Sequence, residues 1–145
     1  MIIKIYQSYL IKSLLKNIFL VSFIFLILAF FLNILEEIKF FKNLDLGISY
    51  SFLLTFLNIP SIVYEIFPFI FLISTQIFFV NLFEKEELIV FKKHGIDNFV
   101  LIKILIVTSL VCGVLIVTLF YTFSAKTKHS YLSLKNKFTN DNKYL

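Results

Sequence analysis

The stretch that decides the fold is Glu84-Lys85-Glu86-Glu87-Leu88-Ile89-Val90-Phe91-Lys92-Lys93-His94-Gly95, a charged segment between two long apolar ones. Residues 61–83 before it and residues 98–123 after it are each long enough to cross about 30 Å of hydrocarbon as a helix. Within the charged segment acidic residues come first, basic residues follow, and a glycine closes it. This order is typical of a short helix whose charges complement its dipole. The sequence therefore predicts two spans joined by a short solvated helix over residues 84–94.

A further apolar run lies near the N-terminus, over residues 18–35. Lysines precede it, as in a signal peptide, but the run is long and no small-residue cleavage site follows, so we expect a retained span. The chain is 59% hydrophobic and 16% charged, against about 45–50% and about 25% in soluble domains. These features predict an all-α integral membrane protein whose three transmembrane helices lie within residues 1–123.

The second apolar run is too long for one span. From residue 48 to residue 83 only Glu65 is charged, and a continuous helix of that length would measure about 54 Å. We expect a division at Pro60, because proline fits the first turn of a helix, and a kink at Pro68. The residues before Pro60 then form an outer amphipathic segment, either at the interface or packed on neighbouring helices, with a polar stripe of Ser51, Thr55 and Asn58.

Residues 124–145 change character and become polar and lysine-rich. Tyr131, Leu134 and Phe138 recur at helical spacing and indicate a short amphipathic helix, and residues 139–142 are typical of a turn. With the N-terminus in the cytoplasm, equal numbers of lysines would lie on the two sides of the membrane. Charges in a translocated tail have less influence on orientation, so if the tail is translocated we expect a cytoplasmic N-terminus.

The sequence contains no recognisable catalytic or ligand-binding set. It has no phosphate-binding loop, and His94 and His129 have no cysteine or carboxylate at metal-ligand spacing. The lone Cys112 lies in an apolar run and is typical of a packing residue. We therefore expect no enzyme activity, no cofactor and no metal. All basic residues are lysines, which serve as membrane anchors, so the net charge of +5 does not indicate nucleic acid.

The helix predicted over residues 84–94 admits two interpretations. It is either a charged cytoplasmic loop with ordinary capping or a coupling helix that inserts into a groove of a soluble motor protein. In the second case Leu88 and Phe91 are the apolar anchors, and Glu84 and Glu87 meet basic groups of the partner.

Two parts of the chain together resemble a known family. Pro60-Ser-Ile-Val-Tyr-Glu-Ile-Phe-Pro68 opens an apolar span, and Glu86-Glu87-Leu88-Ile89-Val90-Phe91-Lys92-Lys93-His94-Gly95 follows it. This pattern is similar to that of the permeases of the lipopolysaccharide export transporter, the LptF/LptG family. Their second span has a Pro…Phe-Pro pattern and ends in a Ser-Glu-Leu segment closed by Gly. Tyr9-Leu10-Ile11-Lys12 also resembles the family's Tyr-Ile-x-Lys/Arg start of the first span.

The resemblance assigns residues one by one. Glu87, Leu88 and Gly95 fall on the family's Glu, Leu and Gly, whereas Glu86 stands where Ser is usual. The first outer loop, with Glu36-Glu37, is more acidic than the family's lysine-rich version. The exit from the third span also lacks the acidic residue and the proline that the family often has there.

What the resemblance implies is a permease subunit in the inner membrane of a Gram-negative bacterium. It would extract lipopolysaccharide together with a second permease subunit, and a cytoplasmic ATPase dimer would drive it through the coupling helix, including Gly95. Lys39 and Lys42 would contact lipid phosphates. Residues 124–145 would begin a periplasmic domain that the chain leaves truncated.

Two other hypotheses remain open. The chain could be a small three-span membrane scaffold or assembly factor that binds a cytoplasmic partner without transport. It could also be a short ion or solute carrier that uses Glu65, since an ionisable group in a span is a functional candidate. We favour a simpler interpretation of Glu65, in which it lies near the outer interface and reaches water.

Overall fold

The computed structural model describes residues 5–42 and 48–141, without the side chains of Phe41 and residues 138–141. In these two ranges there are helices and no strands, and three helical segments are long and apolar enough to cross a membrane, which confirms the predicted all-α membrane fold. The elements are α1 (Ile5–Lys42), α2 (Ile48–Glu84), α3 (Glu87–Lys93), α4 (Asn98–Leu115), a π-helical turn (Ile116–Phe120) and α5 (Tyr121–Asp141).

The division expected at Pro60 is wrong, because α2 runs without interruption through both Pro60 and Pro68. Each proline lacks an N–H group and leaves one carbonyl four residues earlier without its helical donor. Membrane helices tolerate this loss when neighbouring helices pack around the site. The residues on either side of Pro60, Ile59 and Ser61, are both buried, so packing on neighbouring helices holds the chain in its helical path.

The polar stripe ahead of Pro60 also packs on neighbouring helices and does not lie free at an interface. Ser51 and Thr55 are fully buried, and Asn58 is half-buried. Small hydroxyl side chains allow helices to approach closely in a bilayer. Of the two arrangements that the sequence allowed for this segment, the structure therefore shows the packed one.

Two segments expected to be irregular are helical. Residues 36–42, expected to begin the first loop, are the last turns of α1, where Tyr131 and Lys135 of α5 hydrogen-bond to the buried Glu37. The expected turn at residues 139–142 is helical as far as Asp141, and Asn142 lies outside the described residues.

The chain forms two compact units, and α1 and α2 each contribute to both. The first unit comprises Met1–Ser22 and Pro68–Val117. Among its buried residues are Leu10 and Leu14 of α1 and Ile70, Ser74 and Phe78 of α2. The spacing of four residues in each helix places these side chains on one helical face.

The second unit comprises Phe23–Phe67 and Thr118–Leu145. Its apolar core joins Leu54 of α2 to Tyr131 of α5, with Phe40, Leu57 and Leu134 packed against them. The side chain of Tyr131 thus lies on the inward face of α5, as the spacing of Tyr131 and Leu134 predicts.

Candidate functional site

The short helix α3 begins after a two-residue turn. α2 ends at Glu84, Lys85 and Glu86 form a turn, and Glu86 adopts the left-handed conformation with φ of 54°. Such a φ is uncommon for a residue with a side chain. Glu87 is consequently the only acidic residue in the first turn of α3. The predicted start of this helix at residue 84 is wrong, because Glu84 is the last residue of α2 and Glu86 is the N-cap residue that precedes α3.

The other end of α3 is closed by Gly95. Its φ of 74° is left-handed, and its N–H donates to the carbonyl of Lys92 at 3.0 Å. The N–H of Ile96 donates to the carbonyl of Phe91, also at 3.0 Å. These two bonds form a Schellman motif, the usual glycine-dependent helix end. Asp97 then occupies the N-cap position of α4 without a side-chain capping bond.

An open groove of about 1070 Å³ lies in the first unit, between the first turns of α1, the inward side of α3 and the start of α4. Its wall is mostly apolar and contains one carboxylate, that of Glu87. It is lined by Ile5, Tyr6, Tyr9, Glu87, Val90, Phe91, His94, Gly95, Ile96 and Val100.

A hydrogen bond ties α3 to α1 at this groove. The hydroxyl of Tyr9 donates to Oε1 of Glu87 at 2.7 Å, across 78 positions of sequence. Sequence reasoning did not assign Tyr9 a place beside α3. The available signal was its position in the motif Tyr9-Leu10-Ile11-Lys12, although that motif alone does not identify the bonding partner.

The structure brings together three of the sequence-predicted coupling residues and separates the others. Glu87, Phe91 and Gly95 line the groove, whereas Leu88 is half-buried outside its lining and Glu84 is exposed at the end of α2. The two lysines predicted to contact lipid, Lys39 and Lys42, are exposed in the last turn of α1, in the second unit.

No residue of α3, which is described throughout, is buried. Ile89 and Val90 are each 50% exposed, and Leu88 and Phe91 are half-buried. Four apolar side chains in succession on a charged seven-residue helix thus remain accessible to another molecule. Within the described ranges no group of three or more histidine, cysteine or acidic side chains could hold a metal ion.

The second unit contains a buried polar cluster that the sequence did not reveal. Glu37 is 1% exposed, and its Oε1 accepts a hydrogen bond from Tyr131 at 2.7 Å and one from Lys135 at 2.9 Å. The ammonium of Lys135 also donates to the Tyr131 hydroxyl at 2.7 Å and lies 4.7 Å from the centre of the Phe40 ring. This cluster holds α5 against α1.

A second ion pair holds α5 against α2. Lys128 donates to Oε1 of Glu65 at 2.7 Å, and the two side chains are 43% and 60% exposed. The Ser61 hydroxyl donates to the same oxygen at 3.3 Å. Glu65 is therefore an exposed carboxylate that is paired with Lys128.

Comparison with known proteins identifies one family. The family model described as lipopolysaccharide export system permease LptF/LptG matches residues 8–145. Comparison with curated proteins and with solved structures gave no match.

Proposed function

Because the chain belongs to the LptF/LptG family of lipopolysaccharide export system permeases, we propose that it is a transport subunit that works with a second permease subunit and a separate cytoplasmic ATPase dimer. The family and the three apolar helices make it a multi-pass membrane protein. The proposal adds the inner membrane of a Gram-negative bacterium as its location, with the N-terminus in the cytoplasm, and α3 as the point where the ATPase docks.

The energy for transport would come from the partner. The sequence has no phosphate-binding loop, and its three glycines lie far apart, at positions 47, 95 and 113. Lipopolysaccharide carries several acyl chains, and removing each buried methylene from a membrane costs about 0.8 kcal/mol. Extraction therefore requires work, and this chain has no phosphate-binding loop through which to obtain it from ATP.

The observation that carries the proposal is the accessible apolar surface of α3. Isolated helices shorter than about 12 residues are marginal in water, yet α3 is held in place by a left-handed turn at one end and a Schellman motif at the other. A helix that is fixed in position but buries none of its own residues is suited to insert into a groove of a partner. Phe91 would supply the apolar anchor and Glu87 the charge that faces basic groups of the ATPase.

Glu84 has a smaller part in this proposal than the sequence suggested. It lies on α2, before the left-handed turn, so it does not share a helical face with Glu87 and Phe91. Leu88 remains a contact residue, because it is half-exposed beside the groove. Lys39 and Lys42, exposed at the end of α1, remain candidates for contact with lipid phosphates.

Substitution of Phe91 and Glu87 tests the docking role. In the assembled permease, Phe91→Ala and Glu87→Ala should each weaken binding of the purified ATPase by about 2 kcal/mol, the scale of an interface hot spot. Phe99→Ala is a matched control, since Phe99 is exposed just beyond Asp97 but does not line the groove. Unchanged ATPase binding in both α3 variants would reject α3 as the docking point. Intact binding without any lipid export by the parent protein would instead favour the scaffold hypothesis.

Thiol labelling tests the orientation. Cys112 is the only cysteine, so Cys112→Ala gives a thiol-free background into which Val90→Cys is introduced. In whole cells this thiol should react with a membrane-permeant maleimide and resist an impermeant one. Labelling by the impermeant reagent would place α3 on the periplasmic side and overturn the proposal.

A further inference from the structure

The hydrogen bond between Tyr9 and Glu87 joins the start of the first span to the first residue of α3. We infer that Tyr9 is a positioning residue that fixes the Glu87 carboxylate and the direction of α3 for the ATPase. This inference rests on the proposed function and adds to it a residue from another helix.

The bond between Tyr9 and Glu87 lies at the first residue of α3. Glu87 directly follows Glu86, whose φ of 54° lies in the turn that separates α2 from α3. Every backbone hydrogen bond described at the two ends of α3 lies within residues 81–101. The Tyr9 hydroxyl is thus a contact from a distant part of the chain at the first residue of α3, where it can restrain the orientation of α3 after the turn.

The chemistry of the carboxylate fits this role. The Tyr9 hydroxyl donates to Oε1, which orients the carboxylate, while each carboxylate oxygen accepts more than one hydrogen bond. A basic side chain of the ATPase can therefore bind the same carboxylate, and a guanidinium would do so with two parallel bonds. Because Tyr9 is itself 45% exposed, the bond lies at the accessible rim of the groove and not within the packed interior.

The alternative is that Tyr9 merely stabilises the fold. The two possibilities differ in what the hydroxyl does when Glu87 is absent. A positioning role acts through Glu87 and disappears with it, whereas a contribution of the hydroxyl that does not involve Glu87 persists.

The test compares Tyr9→Phe with Tyr6→Phe in the assembled permease. Both tyrosines line the groove, and Tyr9 is the one that donates to Glu87. Tyr9→Phe should weaken ATPase binding about three- to tenfold, the effect of an accessible hydrogen bond to a charged group. Tyr6→Phe should change it less than twofold, and thermal unfolding of both variants should match the parent protein.

A double-substitution cycle completes the test. In a Glu87→Ala background, Tyr9→Phe should cause no further loss of binding. An equal loss in both backgrounds, or a loss accompanied by a lower unfolding temperature, would overturn the positioning role. If Phe91→Ala and Glu87→Ala weaken binding while Tyr9→Phe does not, only the role of Tyr9 fails. If none of the three weakens binding, the docking role of α3 fails as well.

Discussion

Two lysines on one face of α5 make similar ion pairs, and they should differ strongly in their contribution to stability. Lys135 bonds Glu37 at 2.9 Å, and Lys128 bonds Glu65 at 2.7 Å. If distance alone mattered, removing either lysine would destabilise the fold equally, or removing Lys128 would destabilise it more. Burial predicts a larger loss of stability on removing Lys135, because Glu37 is 1% exposed whereas Glu65 is 60% exposed.

The size of each stability loss depends on the hydrogen bonds and the contact with water that the carboxylate keeps once its lysine is removed. Removing one partner of a buried pair typically costs about 3–5 kcal/mol, because the remaining charge stays out of water. In Lys135→Met, Glu37 keeps its bond from Tyr131, and the lysine is itself 25% exposed, so we expect a loss of about 2 kcal/mol. Lys128→Met should cost about 0–1 kcal/mol, as exposed pairs do.

Thermal unfolding in one detergent, followed by the loss of helical circular dichroism, measures both variants under the same conditions. Glu37→Gln introduced together with Lys135→Met should restore part of the lost stability, since an amide without a partner costs less than a charge without one. Equal destabilisation by the two lysine substitutions, or no recovery in the double variant, would refute the argument from burial.

Three further substitutions test the helix ends, the proline and the exposed carboxylate. Gly95→Ala should lower the free energy of unfolding by about 1 kcal/mol, because the φ of 74° is strained for any side chain, although nothing lies within 4 Å of an added Cβ. Gly113→Ala, in the interior of α4 with equal space, should instead leave that free energy unchanged or raise it by up to about 1 kcal/mol. An equal loss at both glycines would show that backbone conformation is not the cause. Pro60→Ala should raise the unfolding temperature, because it restores a backbone donor within the continuous α2; a lower temperature would mean that the ring packs in a way alanine cannot replace. Glu65→Gln should leave lipid export by the assembled transporter intact, and loss of export with normal folding would revive the carrier hypothesis.

The sequence predicted what depends on local pattern. Long apolar runs predict membrane helices, and a glycine after two lysines and a histidine predicts the end of α3. Both signals lie within a few residues of the feature they predict, so no knowledge of tertiary contacts is needed. The family resemblance rested on similar local motifs, and the family model confirms it.

What the sequence did not predict depends on contacts between distant residues. Glu37 was expected in an acidic loop, but its partners lie 94 and 98 positions away. Tyr9 and Glu87 are likewise brought together only by the packing of α1 beside α3. At Pro60, neighbouring helices outweighed a local signal for a break. The exclusion of Glu84 from α3 depended on a single left-handed residue, Glu86, which composition does not identify.

The burial of Glu37 has a consequence for the order of events during biosynthesis. The ribosome must add 98 more residues after Glu37 before Lys135 exists. At about 5–20 residues per second this takes roughly 5–20 s. For that interval Glu37 lacks both the hydroxyl and the ammonium group that bond it in the finished fold. The end of α1 therefore cannot take up its final contacts until α5 has been made, so this part of the fold forms late.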